Sequence, residues 1–479
     1  MVSGSDQHGA PITLRAEQEG KSPLEIASRY HHEFVDSWQK LGISFDLFTN
    51  TGTANHAAVV HDIFLKLLDK GYLYKESMPQ AYCPKCQRFM PDRYVEGTCP
   101  NCHSPNARGD QCDECGRTLN PSELLNIRCR ICSTTPRFQN SEHFFFRLSA
   151  FEERLKAWAK EQTHWRQNVM NFTLGILEGG LKDRAITRDL DWGVTVPQPG
   201  FEQKRIYVWF EAVIGYLSAS KEWAISQGND AAWKPFWSGE ARSYYFIGKD
   251  NIPFHTLIWP AMLMGYEGLA LPFDVPANEF LTIEGKKLST SRNWAVWVPD
   301  YLESYDPDPL RYVLSINMPE TGDTDFSWRE FLRRNNDDLV ATYGNLANRV
   351  LTFTNRNFDG AVPYAGELDS QTRELIGKAG ETLSSVDKSI EQCHFKEGIK
   401  AAMALAQEAN KYLDAKAPWK SVKQDKQAAA MAVYGAMAAL SALKTMFYPY
   451  LPFRSQKLHH YLGFEGTIES SGWKFQLPE

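Results

Sequence analysis

Between Cys83 and Cys132 the chain places four C-x-x-C pairs, Cys83/Cys86, Cys99/Cys102, Cys112/Cys115 and Cys129/Cys132, and no other feature restricts its fold so tightly. Two residues between thiolates let both sulfurs turn onto one ion at about 2.3 Å, and a tetrahedral zinc takes two such knuckles. Eight ligands therefore make two zinc sites. They use eight of the nine cysteines and leave Cys393 alone. Neighbouring C-x-x-C pairs make poor structural disulfides, and the remainder of the chain has the texture of an intracellular enzyme, so a cytoplasmic location is expected. The second and third knuckles are adjacent and the first and fourth enclose them, which favours a nested pairing over an interleaved one. With sulfur at every ligand position no open coordination site is implied, and the zinc is read as structural.

A chain of 479 residues is expected to hold about three domains at roughly 100 to 200 residues each. The opening "MVSGSDQHGAP" reads as the carboxyl end of a buried strand emptying into a polar loop, where open α/β sheets bind ligands. A chain that starts there starts inside its own site. Ser22-Pro23-Leu24-Glu25 predicts a helix start, with Ser22 as cap and Glu25 reaching back to the cap amide, and Gly42 closes that helix. A second helix is predicted from about Ala54 to Leu68, carrying Val59, Ile63 and Leu67 on one face and ending at Gly71.

From about Tyr82 to Phe138 the texture changes to Cys, Pro, Gly and Asn, marking a small metal-stapled insertion rather than more sheet. Beyond it, "RIYVWFEAVIGYLSAS" and "SYYFIGKDNIPFHTLIWPAML" each predict a buried strand running into a helix, two further units of a parallel sheet. From about Trp328 the pattern is helical, with Ala-rich segments that predict a bundle. No run approaches the ~20 apolar residues of a membrane span, so a soluble protein is expected. The net charge of -6 gives no case for polyanion binding by the whole chain, although the eight Lys and four Asp or Glu between Phe395 and Lys444 leave a local excess of four positive charges.

Several residues could carry chemistry. In "YYFIGKDNIPFHTLIWP" a strand ends at Gly248, where the backbone can approach a ligand, and Asp250 follows as a candidate acceptor for ribose hydroxyls. Alone, such an Asp is as readily a helix cap, and Trp209, Tyr216 and Trp259 are as readily core aromatics. In "EGKKLSTSRN" a lysine followed by Ser, Thr and Ser offers mobile donors to a triphosphate, where stabilisation matters most as charge develops on the departing pyrophosphate.

Lys287-Leu288-Ser289-Thr290-Ser291 resembles the KMSKS loop of the class I aminoacyl-tRNA synthetases. With "GSDQHGAPI", the four knuckles, "SEHFFFRL", "AITRDLDWG", "YVWFEAVIGY", "FIGKDNIPFH", "GNLANR" and "AKAPWK", in that order and spacing, nearly the whole chain resembles the methionyl branch of that family. The resemblance implies a Rossmann-like α/β parallel-sheet catalytic domain, a zinc-knuckle insertion and an all-α anticodon-binding bundle. Its divisions fall at 1–75 and 201–270 for the catalytic domain, 76–200 for the insertion, 271–327 for the KMSKS-loop and stem-contact region, and 328–479 for the bundle.

It implies ATP-dependent attachment of L-methionine to methionine tRNA through an adenylate, with Mg2+ accompanying ATP. Asp6 would hold the methionine ammonium, while Trp209, Ala212, Tyr216, His255 and Trp259 would enclose the thioether, a soft group suited to aromatic walls. Gly248 and Asp250 would meet the adenosine ribose. Lys287, Ser289 and Ser291 would be catalytic, with Lys287 and Ser289 on the ATP. Asn345, Arg349 and Trp419 would read the anticodon, a Trp beside lysines being suited to stacking unpaired bases.

The chain departs from the family pattern in three respects. Thr290 stands where the loop carries a second lysine, a role Lys286, Lys287 or Arg292 could take over. Val213 and Asn251 stand where other members can carry Pro and Ile. The family's His-x-Gly-His motif, which with a first strand would precede Asp6, does not occur in the sequence. The expectation is that Met1 is an internal methionine, that the working protein begins upstream, and that the chain as written folds poorly around its nucleotide site and is nearly inactive. Two other readings stay open: a sibling synthetase for valine, leucine or isoleucine, and a non-catalytic tRNA-binding relative.

Overall fold

The computed structural model describes residues 1–109, 112, 114–115, 119, 121–289 and 293–477. It divides into two compact units, one of Met1–Asp36 with Ser44–Ala277, the other of Ser37–Ile43 with the chain from Asn278 onward.

In the first unit Val2–Ser5 lies parallel to Leu47–Asn50, Val2 opposite Leu47 and Ser5 opposite Asn50. A parallel pair needs a crossover, and helices Ala10–Glu19 and Pro23–Lys40 supply it. The Pro23–Lys40 helix starts as its sequence predicts. Glu25 accepts from the Ser22 backbone amide at 2.8 Å and from the Ser22 hydroxyl at 2.7 Å, so local chemistry alone fixes that end. Helix Ala54–Asp69 begins where the Thr53 hydroxyl accepts from the His56 amide, buries Val59, Ile63 and Leu67, and is followed by Gly71 at a φ of +74°. Gly4 can only be glycine, since a Cβ there would come within 2.8 Å of the Thr49 carbonyl oxygen.

Two sequence expectations need correction here. Arg205–Ile206 does not enter the parallel sheet. It pairs antiparallel with Thr187–Arg188, and the chain turns at once into helix Val208–Glu211. The apolar run that reads as a strand is buried through that helix instead. The knuckle region also contains sheet: Val95–Thr98 lies between Ala107–Arg108 and Leu125–Cys129, and the ladder of Leu73–Cys83 against Arg137–Phe146 carries the region outward. The second predicted strand is present but short, Ile247–Gly248, followed by a tight turn at Lys249–Asn251 and a wide-wound helical stretch, Phe254–Ile258, continuing into helix Trp259–Tyr266.

The second unit opens with Leu281–Ile283 between Lys286–Lys287 and Thr324–Phe326 and then becomes helical. Helices Ser370–Glu391, Phe395–Lys416 and Lys426–Phe447 share one core, in which Ala379, Ala402, Ala406, Ala409, Ala436 and Ala439 are buried beside Leu383, Leu440 and Leu443. Alanine at these positions lets helix backbones approach closely. Gly435 takes this furthest, since a Cβ there would lie 2.9 Å from both Thr372 and Tyr412.

Contrary to the expectation from sequence, Lys426–Phe447 is long and apolar enough to cross a membrane. Its alanines, Gly435 and Ser441 dilute the apolar signal without adding charge, and 89% of its most apolar window is buried inside the protein.

Candidate functional site

A cavity of about 380 Å3 opens in the first unit at the end of the Val2–Ser5 strand. Asp6, Trp209, Ala212, Tyr216, Gly248 and His255 all line it, although they come from segments far apart in the chain. Val213 and Asn251 line it as well, so both departures from the family pattern lie at the cavity wall. Trp259 does not reach it. Its ring is fully buried behind Tyr245, to whose hydroxyl its Nε1 donates at 3.1 Å, so it shapes the wall from the second layer. Asp250 follows Gly248 into the turn and is likewise outside the lining.

Two polar side chains of the wall, Tyr216 and His255, are bonded to each other. His255 is held by its Nδ1, 2.9 Å from the Asn251 carbonyl oxygen, which makes Nδ1 the donor and leaves Nε2 to accept from the Tyr216 hydroxyl at 2.7 Å. Burial depresses the His255 imidazole and raises the Tyr216 phenol, so both stay neutral near pH 7. Trp209 stacks on Phe254 with ring centres 4.3 Å apart and an interplanar angle of 11°. Asp6 is the acid of this wall. Surrounding protein and the nearby Glu211 carboxylate push its carboxyl up to about 6, against a partial offset from the His8 amide that donates to it at 3.2 Å.

Sequence reasoning missed the polar layer behind Asp6. Glu211 is completely buried, one oxygen 3.0 Å from His8 Nδ1 and the other 2.6 Å from His56 Nε2. The signal available was a lone acid inside the apolar run "YVWFEAVIGY".

In the second unit Lys287 lies exposed on the short strand Lys286–Lys287, and Ser289 pairs through its backbone with Trp294. Ser291, with Thr290 and Arg292, falls outside the described residues. Asn345 and Arg349 lie one turn apart on helix Asn345–Asn357. The Arg349 guanidinium sits 4.8 Å above the Trp419 ring and donates to Asp414 at 2.5 Å. Trp419 is half exposed, presented by a sharp corner in which Ala417 takes a left-handed φ of +40° just before Pro418.

The cysteines form two clusters, Cys83, Cys86, Cys129 and Cys132 in one and Cys99, Cys102, Cys112 and Cys115 in the other, with all ligand atoms of a cluster within 4.8 Å. This is the nested arrangement. Neighbouring sulfurs lie 3.4 to 3.9 Å apart, close to the edge of about 3.8 Å expected for a tetrahedron of thiolates around an ion at about 2.3 Å. Each cluster can hold one metal ion. The first is the deeper, since Cys102 and Cys115 of the second are exposed.

Residues 1–351 match the sequence model of the class I tRNA synthetases (M), and residues 362–476 match that of the anticodon binding domain of methionyl tRNA ligase. A methionine–tRNA ligase of Dehalococcoides mccartyi is 62% identical over 478 residues, covering 100% of this chain and 86% of that one. One of Thermomicrobium roseum is 53% identical, covering 98% and 80%. Among solved structures, Mycobacterium tuberculosis methionyl-tRNA synthetase in complex with methionyl-adenylate superposes with a TM-score of 0.81 at 25% identity, covering 100% of this chain and 90% of that one.

Proposed function

The chain belongs to the methionyl-tRNA synthetase family of class I, its activity is ATP-dependent ligation of L-methionine to methionine tRNA through a methionyl-adenylate, and we propose that the cavity at Asp6 holds the amino acid. The observation that carries this reading is the placing of one carboxylate on the wall of a slot that also carries the rings of Trp209, Tyr216, Phe254 and His255, matching an amino acid with an ammonium at one end and a thioether at the other. Asp6 pairs with the ammonium. Trp209, Ala212, Tyr216 and His255 pack the side chain, with Trp259 behind them. Holding the Tyr216–His255 pair neutral keeps charge out of the thioether end.

The methionine carboxylate then attacks the α-phosphorus of ATP, forming the acyl–phosphate bond as the α–β bond breaks and pyrophosphate leaves. Gly248 and Asp250 meet the adenosine ribose, and Lys287 and Ser289, with Ser291, meet the triphosphate as negative charge grows on the leaving group. In the second step a ribose hydroxyl at the tRNA terminus attacks the activated carbonyl, loses its proton and displaces AMP. Orientation does most of the work in both steps. Mg2+ would accompany ATP and neutralise phosphate charge when bound.

Asn345, Arg349 and Trp419 take the anticodon. Trp419 offers an exposed stacking face, and Arg349 lies against it ready to meet phosphate. The two thiolate clusters take zinc, one ion each, as structural staples, in keeping with their all-sulfur donor sets. Eight thiolates maintained as metal ligands fit the reducing cytoplasm.

Methionine-dependent exchange of pyrophosphate into ATP tests the assignment. Asp6→Asn should raise the methionine KM steeply while leaving the ATP KM near its starting value. An unchanged methionine KM would remove Asp6 from the site. Metal analysis of the purified protein should return two zinc ions per chain.

A further inference from the structure

Glu211 is a full carboxylate withdrawn from water. Removing an ion from water costs several kcal/mol unless partners compensate, and an apolar side chain of similar size would fill the same space without that cost. The side chains that compensate it are two histidines, neither of which lines the amino-acid cavity, though His8 belongs to the same loop as Asp6. Oε1 accepts from His8 at 3.0 Å and Oε2 from His56 at 2.6 Å, and since a carboxylate only accepts, the ring nitrogen facing it is the proton-bearing one in each imidazole. His56 is tied on its far side to the Ser218 hydroxyl at 2.8 Å. His8 supplies the backbone amide that donates to the Asp6 carboxylate at 3.2 Å. The same loop is pinned at Gln7, whose amide donates to the Thr51 hydroxyl at 2.9 Å and whose carbonyl accepts from Trp192 at 2.6 Å. Glu211 itself stands between Trp209 and Ala212, two other residues of the cavity wall.

We propose that Glu211 is a positioning residue for the substrate ammonium: through His8 it fixes the Asp6 carboxylate, and through its own helix it fixes the facing wall that carries Trp209 and Ala212. His56 holds the second oxygen and so sets the rotamer of the whole device. The carboxylate adds negative potential behind Asp6, which the bound ammonium completes. The proposal rests on Asp6 holding the amine.

Its test is a comparison of two ligands that differ only in that amine, L-methioninol and 4-(methylthio)butan-1-ol, titrated calorimetrically into the protein and its variants. In the unaltered protein the amine-bearing ligand binds more tightly. Glu211→Gln keeps the volume and removes the charge, and it should shrink the affinity ratio of the two ligands by about tenfold while weakening the amine-free ligand little. His8→Gln, which leaves the Glu211 helix intact, should shrink the ratio in the same sense and by less. It decides the matter alone if Glu211→Gln does not fold. Equal weakening of both ligands would reduce Glu211 to a packing residue, and an unchanged ratio in both variants would likewise overturn the proposal. Asp6→Asn separates the two levels. A ratio unmoved by Asp6→Asn removes the amine site itself and the proposal with it, whereas a ratio that collapses there and persists in Glu211→Gln and His8→Gln refutes the positioning role only.

Discussion

The two proposed binding regions are built on opposite principles. Around Asp6 the polar groups are bonded to one another before any ligand arrives: Tyr216 to His255, His255 to a backbone carbonyl, Glu211 to two histidines. Around Trp419 the aromatic face stands half exposed, and the guanidinium lying over it, that of Arg349, is engaged by Asp414, itself largely open to solvent. A small substrate that must be told from near-isosteres needs a rigid interior, because discrimination comes from buried groups left unpaired by the wrong ligand. A nucleic-acid loop brings its own charge and stacking surface, and a face that exchanges a loose ion pair for a phosphate suits it better.

That contrast can be broken by substitution. The largest effect is expected at Asp6→Ala, which should lower kcat/KM for methionine in pyrophosphate exchange by about a hundredfold, the cost of removing a charged hydrogen-bond partner. The KM for tRNA should stay where it was. Trp419→Ala should do the reverse, lowering kcat/KM for tRNA in aminoacylation by about tenfold to a hundredfold, as loss of one stacked base predicts, with methionine-dependent exchange intact. If both variants damaged both assays, the two regions would not be separable in the way their construction implies.

The third test is acidity. With the Asp6 carboxyl raised to about 6, the group is anionic above that pH and neutral below it. The methionine KM should therefore rise by about tenfold per unit as pH falls below 6, since a neutral acid no longer pairs with ammonium. A flat methionine KM between pH 5 and 7 would contradict the raised value. The smallest effect is expected at Asp414→Asn. An exposed ion pair of this kind contributes about 0 to 1 kcal/mol, so the melting temperature should hardly move, while Arg349, released toward phosphate, should improve the tRNA KM by about two- to threefold.

What could be read from the sequence was whatever is local. The Ser22–Glu25 cap joins residues three apart, and both partners announce themselves. The nested cysteine pairing was favoured by chain order, since the second and third knuckles are adjacent and the first and fourth enclose them, and the structure forms those two clusters. The strand at Arg205 was misread because an apolar run states that it will be buried without stating its partner. Here the partner was Thr187–Arg188, on a different sheet. Trp259, which the resemblance puts around the thioether, is absent from the cavity lining and bonds to Tyr245, and that depth depends on how the Phe254–Ile258 stretch winds. Least legible was the Glu211 network. His8 and His56 lie 203 and 155 residues from it in sequence, and each member alone is an ordinary polar residue.

The apolar helix Lys426–Phe447 bears on how the protein is made. Chains are synthesised from the amino end and domains fold as they emerge. The helices Ser370–Glu391 and Phe395–Lys416, which pack against it, leave the ribosome before it does. The segment most prone to be mistaken for a bilayer anchor thus emerges when most of its proper groove has already been made. A circular permutant that moved this helix ahead of the other two would expose it bare to targeting factors and chaperones.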